Sequence, residues 1–425
     1  MNRILFFGVL LALTLSAKTQ DVNKLAREIE PKMIEWRHYF HQNPELSNRE
    51  FNTAKRIEQH LRDLGLEVQT GVAYTGVVGV LKGGKPGPVV GIRADIDGLP
   101  VTERVDLPYK SEAIGEYNGE KTGVMHACGH DTHISVVMAV AEILSGMKKD
   151  LRGTVKFIFQ PAEEGPPRGE EGGAPLMVKE GVLKNPDVDV MFGMHIKSTM
   201  HVGSIGYKTG GIMAAADRLY ITVNGKQSHG SRPWSGVDPI TVSSQIIYGL
   251  QTIVSRQVEL TKEAAVISIG KIEAGVRYNI IPEKVEMVGT IRTLDEEMQK
   301  DIHQKIEKTA KLIAESAGAT ADVEITQGAP VTYNDPELTT MMVPSFAKSC
   351  ENLEVVNAST GAEDFAFFAL EVPSIYFWVG GCPKDVALKD AVDHHTPDFY
   401  VDDAGMITGV KAFLNLTLDY MKMKK

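Results

Sequence analysis

Residues 153–165, GTVKFIFQPAEEG, carry the pattern on which the fold turns: an apolar strand-like run that ends in two adjacent carboxylates, Glu163 and Glu164. Similar runs stand at TGVVGVLKG (75–83), GPVVGIRAD (87–95), VDVMFGMHI (188–196) and PSIYFWVGG (373–381). Helical periods lie between them. Phe51, Ala54, Ile57, Leu61 and Leu64 recur at helical spacing before Gly65, and Ile134, Met138, Ala141 and Leu144 make one apolar face. Apolar strands alternating with helices predict an α/β fold with a mixed central sheet flanked by helices.

One segment departs from this alternation. Between Ala215 and about Gly328 the pattern reads strand 217–223, helix 237–256, strands 265–271 and 284–292, helix 295–317 and strand 320–326. The order β-α-β-β-α-β is that of a ferredoxin-like α+β unit. Thr293 followed by Glu296 reads as a capping box for the second helix, and Gly318 as its stop. Gly210-Gly211 and Gly328-Ala329-Pro330 read as hinges. The expected organisation is a metal-binding catalytic domain over 21–211 and 329–425, with a satellite domain inserted at 212–328.

Composition narrows the function. The chain has 425 residues, 43% hydrophobic and 24% charged, which suits a globular protein of two to three domains. Its formal net charge of -10, without any basic run, argues against a nucleic-acid partner. The first residues differ in kind: MNRILFFGVLLALTLSAKTQD has Arg3, an apolar run from Ile4 to Leu15, and small residues at Ser16 and Ala17. This is the layout of a signal peptide over residues 1–20, cleaved between Ala17 and Gln20. It is shorter than the roughly 20 apolar residues of a membrane span, so the expectation is an exported protein, periplasmic or extracellular, with no stable membrane span.

Three cysteines, Cys128, Cys350 and Cys382, are too few and too widely spaced for a disulfide framework. A bridge between Cys350 and Cys382 would leave Cys128 over. That residue lies in MHACGHDTH (125–133), which also holds His126, His130, Asp131 and His133. Taken alone, the motif fits a metal site, a thiol nucleophile with His130 or His133 as base, or a crowded polar turn. The Glu163-Glu164 pair favours metal, because adjacent carboxylates repel unless a cation compensates them. One would ligate and the other would serve as general base. His195 at the exit of a strand, and His394 and His395 before a Thr-Pro turn, add two further segments of ligand type. Together Cys, His and Glu form a mixed donor set suited to Zn²⁺ and tolerant of Mn²⁺ or Co²⁺.

The motifs RADIDGLP, HACGHDTH, QPAEEG, GMHI, NIIPE, TGAEDF and HHTPDF, in this order over nearly the whole chain, resemble the aminoacylase/carboxypeptidase superfamily of zinc-exopeptidase-like fold. Within it they resemble the hippurate hydrolases, N-acyl-amino-acid amidohydrolases and auxin-conjugate hydrolases. The resemblance implies two divalent ions per subunit, Zn²⁺ or Mn²⁺, with Co²⁺ or Ni²⁺ as alternatives. Cys128 would bridge them, His130 and Glu164 would complete one side, and His195 and His395 the other. Glu163 would be the general base, and Asp95, Asp97 and Asp131 would orient ligands. His126 and His133 receive no ligand role.

The same resemblance gives the satellite a task. His229, in NGKQSHGSRP, would help hold the substrate carbonyl, often from the partner subunit of a homodimer formed through the satellite; Asn279 and Arg292 would bind the substrate carboxylate. Other branches carry a His-x-Asp where this chain has Arg93-Ala94-Asp95. The implied reaction is cleavage of N-acyl amino acids, hippurate-like or N-acetylated, to a carboxylic acid and a free amino acid, by Glu163-assisted attack of a metal-bridging water. A metallocarboxypeptidase or dipeptidase acting on short peptides would share these motifs. A cysteine hydrolase would leave Glu163, Glu164, His195 and His395 unexplained, and a non-catalytic acyl-amino-acid-binding protein has Glu163 against it.

Overall fold

The computed structural model describes residues 21–424; the expected signal peptide at 1–20 lies outside them. The apolar runs assemble into one mixed eight-stranded sheet in the order Glu67–Val72, Gly76–Lys82, Arg152–Gln160, Lys85–Asp95, Val190–His201, Ser374–Cys382, Ser204–Tyr207, Asn352–Val355. Its centre is parallel: Lys85–Asp95 lies between Arg152–Gln160 and Val190–His201, and Ser374–Cys382 continues the run. Parallel central strands buried on both faces account for the near-continuous apolar sequence.

Helices Val22–Gln42, His130–Gly146, Pro336–Ala347 and Met406–Met423 cover one face, and the short helices Gly173–Lys179 and Ala366–Glu371 lie on the other. The His130–Gly146 helix is buried nearly all round, with Val136, Val137 and Val140 as hidden as Ile134 and Leu144. The single apolar face read from its sequence is therefore a correction: the helix is sandwiched between the sheet and two other helices. A second correction concerns Phe51, which is 61% exposed while Thr53, Ile57 and Leu61 face the core. Phe51 opens its helix, and the buried side chain at that end is Glu50.

The inserted segment builds a separate four-stranded sheet, ordered Ala265–Ala274, Lys284–Thr293, Ala215–Asn224, Thr320–Gln327, with helices Pro239–Gln257 and Glu296–Ser316 packed on it over their own apolar core. This is the ferredoxin-like strand order. The cap of the second helix is Asp295, whose carboxylate accepts the Met298 N–H at 2.8 Å. Thr293 is instead the last residue of a strand, so the expected Thr293–Glu296 capping box does not form. Backbone pairing spans both joints. Gly210–Met213 pairs with Thr332–Asn334, and Ala216 exchanges backbone hydrogen bonds with Gly328 and Ala329. All three cysteines are free thiols, so no Cys350–Cys382 bridge exists. Among the described residues no helix is long and apolar enough to cross a membrane.

Candidate metal centre

The carboxyl ends of the central parallel strands deliver Asp95, Glu163, Glu164 and His195 to one edge of the sheet, where open α/β sheets keep their sites. Three backbone features bring the other groups there. Gly129 has φ +91°, and a Cβ on it would stand 2.4 Å from Ile196 Cγ2, so glycine alone lets Cys128 and His130 turn against the strand. His395 has φ +63°, pinned by its N–H to the Ala127 carbonyl at 2.8 Å. Ala162 has φ +51°, and its N–H is held by the buried Glu50 carboxylate at 2.9 Å. Non-glycine residues in this region cost about 1–3 kcal/mol each and persist where surrounding contacts over-determine them.

Around Cys128 Sγ stand His195 Nε2 at 3.3 Å and His395 Nε2 at 3.2 Å, the latter 3.1 Å from Glu164 Oε1. The donor atoms of Cys128, His130 and Glu164 all lie within 4.8 Å of one another. His130 donates its Nδ1–H to the Asp97 carbonyl at 2.9 Å, and His195 donates its own to the Ile196 carbonyl at 2.6 Å. Each leaves Nε2 facing the cluster, the tautomer a metal requires. His130 Nε2 is buried without a hydrogen-bond partner. Such an orphan costs about 1–3 kcal/mol. A divalent cation would relieve it, and the S, N and O donors suit zinc-type ions, so the residues present fit a metal.

Electrostatics points the same way. Burial, then Glu164, Glu163 and Asp95, push the Cys128 thiol well above its ordinary pKa. A cysteine nucleophile needs the opposite shift. Burial opposes charge on His130, but Asp95, Asp97 and Glu164 outweigh it and raise its pKa to about 10. Burial, with Glu363, Glu164 and Asp364, raises the Glu163 carboxyl well above the usual range against the pull of Arg93.

Of the residues expected to orient ligands, Asp97 touches two: its carbonyl takes His130, and its Oδ2 accepts the Glu164 N–H at 3.1 Å. Asp95 binds His133 Nδ1 at 2.6 Å and Arg93, and lies 3.8 Å from His130 Nε2. Asp131 is a correction. It turns away from the cluster and binds Arg37 Nε at 3.1 Å and His41 Nδ1 at 2.9 Å, because one helical step points it at Val22–Gln42. His133 Nε2 accepts the Ile196 N–H at 2.9 Å, a packing role. His394 also lies near Cys128 and His195, but its Nε2 accepts the Ser198 N–H and its Nδ1 faces the Cys128 carbonyl, so it is engaged where His395 is open.

Sequence reading assigned no role to Arg93, Gln160, Glu363, Asp364 and Tyr376. Arg93, fully buried, binds Asp95, Glu363 (2.8 Å) and Asp364 (3.0 Å), and its Nε donates to Gln160. Glu363 also accepts from Tyr376 Oη and the Phe365 N–H. Carboxylates of Glu163, Glu363 and Asp364 lie within 4.8 Å of one another. The TGAEDF motif was the available signal. His229, Asn279 and Arg292 sit on the inserted unit. His229 is exposed, its Nδ1 2.9 Å from Ser231 Oγ, the half-buried Asn279 has an unpartnered Oδ1, and Arg292 binds Thr290 and the Ile291 carbonyl. Among the described residues none of the three bonds to the Cys128 cluster.

Comparison with known proteins adds four findings. The model of Peptidase family M20/M25/M40 matches residues 91–419. The chain is 38% identical over 396 residues to thermostable carboxypeptidase 2 of Saccharolobus solfataricus, covering 93% of this chain and 96% of that one. It is 36% identical over 390 residues to N-acetylcysteine deacetylase of Bacillus subtilis, covering 91% and 96%. Among solved structures, the Bacillus subtilis YXEP protein, described as a dinuclear metal binding peptidase from the M20 family, superimposes with a TM-score of 0.79 at 32% identity, covering 93% of this chain and 99% of that one.

Proposed function

Because the chain belongs to peptidase family M20/M25/M40 and is a metal-dependent amide hydrolase, we propose that it cleaves N-acyl amino acids, hippurate-like or N-acetylated, to a carboxylic acid and a free amino acid. The observation that carries this reading is the position of Glu163: its Oε2 stands 3.9 Å from His130 Nε2, beside the ligand atoms but bonded to none. This position supports Glu163 as the general base.

In this reading Cys128, His130, Glu164, His195 and His395 hold two divalent ions, as the description of the Bacillus subtilis neighbour encourages. When bound, the ions acidify water and polarise the scissile carbonyl. Glu163 takes a proton from the attacking water and returns it to the nitrogen of the leaving amine, a task its raised proton affinity suits. His229 donates toward the developing oxyanion, and Asn279 and Arg292 receive the α-carboxylate. Their placement on the inserted unit, away from the cluster, favours a homodimer in which the satellite of one subunit serves the other. Exposed Trp234, Tyr248, Val276 and Tyr278 on that unit support such a contact. Export after removal of residues 1–20 completes the proposal.

Carboxypeptidase or dipeptidase activity is the second reading, favoured by the Saccharolobus relative. Metal-loaded protein assayed on N-acetyl and N-benzoyl amino acids and on dipeptides separates the two. Glu163→Gln should keep its metal and lose about 10²–10⁴ in turnover. If the loaded protein cleaves no compound of the panel, the assignment fails.

A further inference from the structure

Lys197 is a cation in the metal cleft that the reaction above does not use. It follows His195 by two residues on the strand Val190–His201, so the pleat places both on one face of the sheet. Its ammonium lies 4.3 Å from the centre of the Trp378 ring, and Trp378 is the register partner of His195 on the neighbouring strand. The side chain is half-buried. Among the described residues no carboxylate stands within 4.0 Å of the ammonium.

The negative groups that face it are Cys128, Asp393 and Glu363, and the basic ones His195, His394 and His395. None of the negative groups answers its charge. Glu363 is taken by Arg93, Tyr376 and the Phe365 N–H, Cys128 is committed to the metal ligand set, and Asp393 is exposed to solvent. A partly desolvated ammonium without a counter-ion is costly. Trp378 compensates only in part, since a ring face contributes far less than an ion pair in a dry site. An arriving anion would complete the arrangement.

We infer that Lys197 forms a cationic subsite beside the metal ligands that receives a second carboxylate of the substrate, carried on an acidic amino acid or on a dicarboxylic acyl group. This rests on the amidohydrolase reading and narrows its substrate class to doubly anionic N-acyl amino acids. Neutral acyl amino acids would bind without using the ammonium.

The test compares wild type, Lys197→Met and Lys197→Arg, each metal-loaded and checked for metal content and thermal midpoint. The substrates are N-acetyl-leucine, N-acetyl-aspartate, N-acetyl-glutamate and N-succinyl-leucine. In Lys197→Met the ratio of kcat/KM for the doubly anionic substrates over N-acetyl-leucine should fall about tenfold or more, mainly through KM, with Lys197→Arg recovering most of it. Loss with the aspartate and glutamate compounds assigns the carboxylate to the amino acid; loss with the succinyl compound assigns it to the acyl group. An unchanged ratio overturns the proposal, including the case where all free acids weaken equally because the ammonium holds the α-carboxylate. Calorimetric titration of succinate onto metal-loaded protein gives a readout apart from turnover: weaker binding to Lys197→Met is expected, and equal binding counts against the subsite. Wild-type protein that cleaves none of the panel yet binds succinate through Lys197 would sink the amidohydrolase reading and leave the anion subsite standing.

Discussion

The Glu50 carboxylate, buried at the head of one helix, accepts the Ala162 N–H at 2.9 Å and the Thr75 hydroxyl at 2.6 Å, and so holds the left-handed turn from which Glu163 and Glu164 project. Misplacing a catalytic group by 1 Å can cost about 10²-fold in rate. Glu50→Ala should therefore lower kcat by about 10–100-fold at nearly unchanged KM. Glu50→Gln, whose amide oxygen can still accept from Ala162, should recover most of the loss. If Glu50→Ala lowers only thermal stability, the residue does not position the turn.

Metal removal should abolish hydrolysis and lower the unfolding midpoint together, because ion binding to the native state alone adds about 2.7 kcal/mol when free metal is 100 times Kd. Cys128→Ala should bind less metal by elemental analysis while keeping the native circular dichroism spectrum. Activity that survives a strong chelator but not a thiol reagent would restore the cysteine-hydrolase alternative.

Arg93 answers three carboxylates from a position with no solvent exposure. Arg93→Met leaves them facing one another, and breaking a buried ion network of this kind typically costs about 3–5 kcal/mol. Arg93→Lys should recover little, since a single ammonium cannot reproduce the fork that spans Asp95, Glu363 and Gln160. Urea denaturation measures both variants; a loss under about 1 kcal/mol for Arg93→Met would contradict this account.

His41 gives the fold a pH dependence away from the metal. Burial disfavours its charge, but hydrogen bonds to Asp131 and Glu103 outweigh that and raise its pKa from 6.5 to about 9. The folded pKa lies above the unfolded one, so the stabilisation is complete below about pH 6.5 and is lost as pH rises through about 9. At 1.36 kcal/mol per unit it amounts to about 3 kcal/mol at most. Urea unfolding between pH 6 and pH 9.5 should show that decline, and His41→Gln should flatten it. An equal decline in the variant assigns the effect to other groups.

Gly129→Ala tests the turn that carries the motif. Its Cβ would meet Ile196 Cγ2 at 2.4 Å in a backbone conformation that disfavours side chains. A loss of about 1–3 kcal/mol accompanied by weaker metal binding is expected. Unaltered metal affinity would separate the turn from the ligand geometry.

Much of this protein was legible before folding. Strand and helix periods are local, spanning a few residues, so apolar runs and helical spacing mark the strands and helices of both sheets. The ligand-type residues were legible because Cys128 and the histidines are scarce and stand at strand ends. Their supports were not: Glu50 acts on a residue 112 positions away, and Arg93 meets Glu363 at a separation of 270. No periodicity encodes such a pairing.

The order of elements and the chemical types at the site were thus written in the chain itself, through backbone propensity and apolar spacing. Packing supplied the rest. It engages His394 with backbone groups while His395 faces Cys128, turns Asp131 toward Arg37 and His41, and sets Lys197 against Trp378 with no carboxylate within 4.0 Å among the described residues. Neighbouring residues of the same type acquire different roles there, because the direction of a side chain depends on what distant segments bring against it.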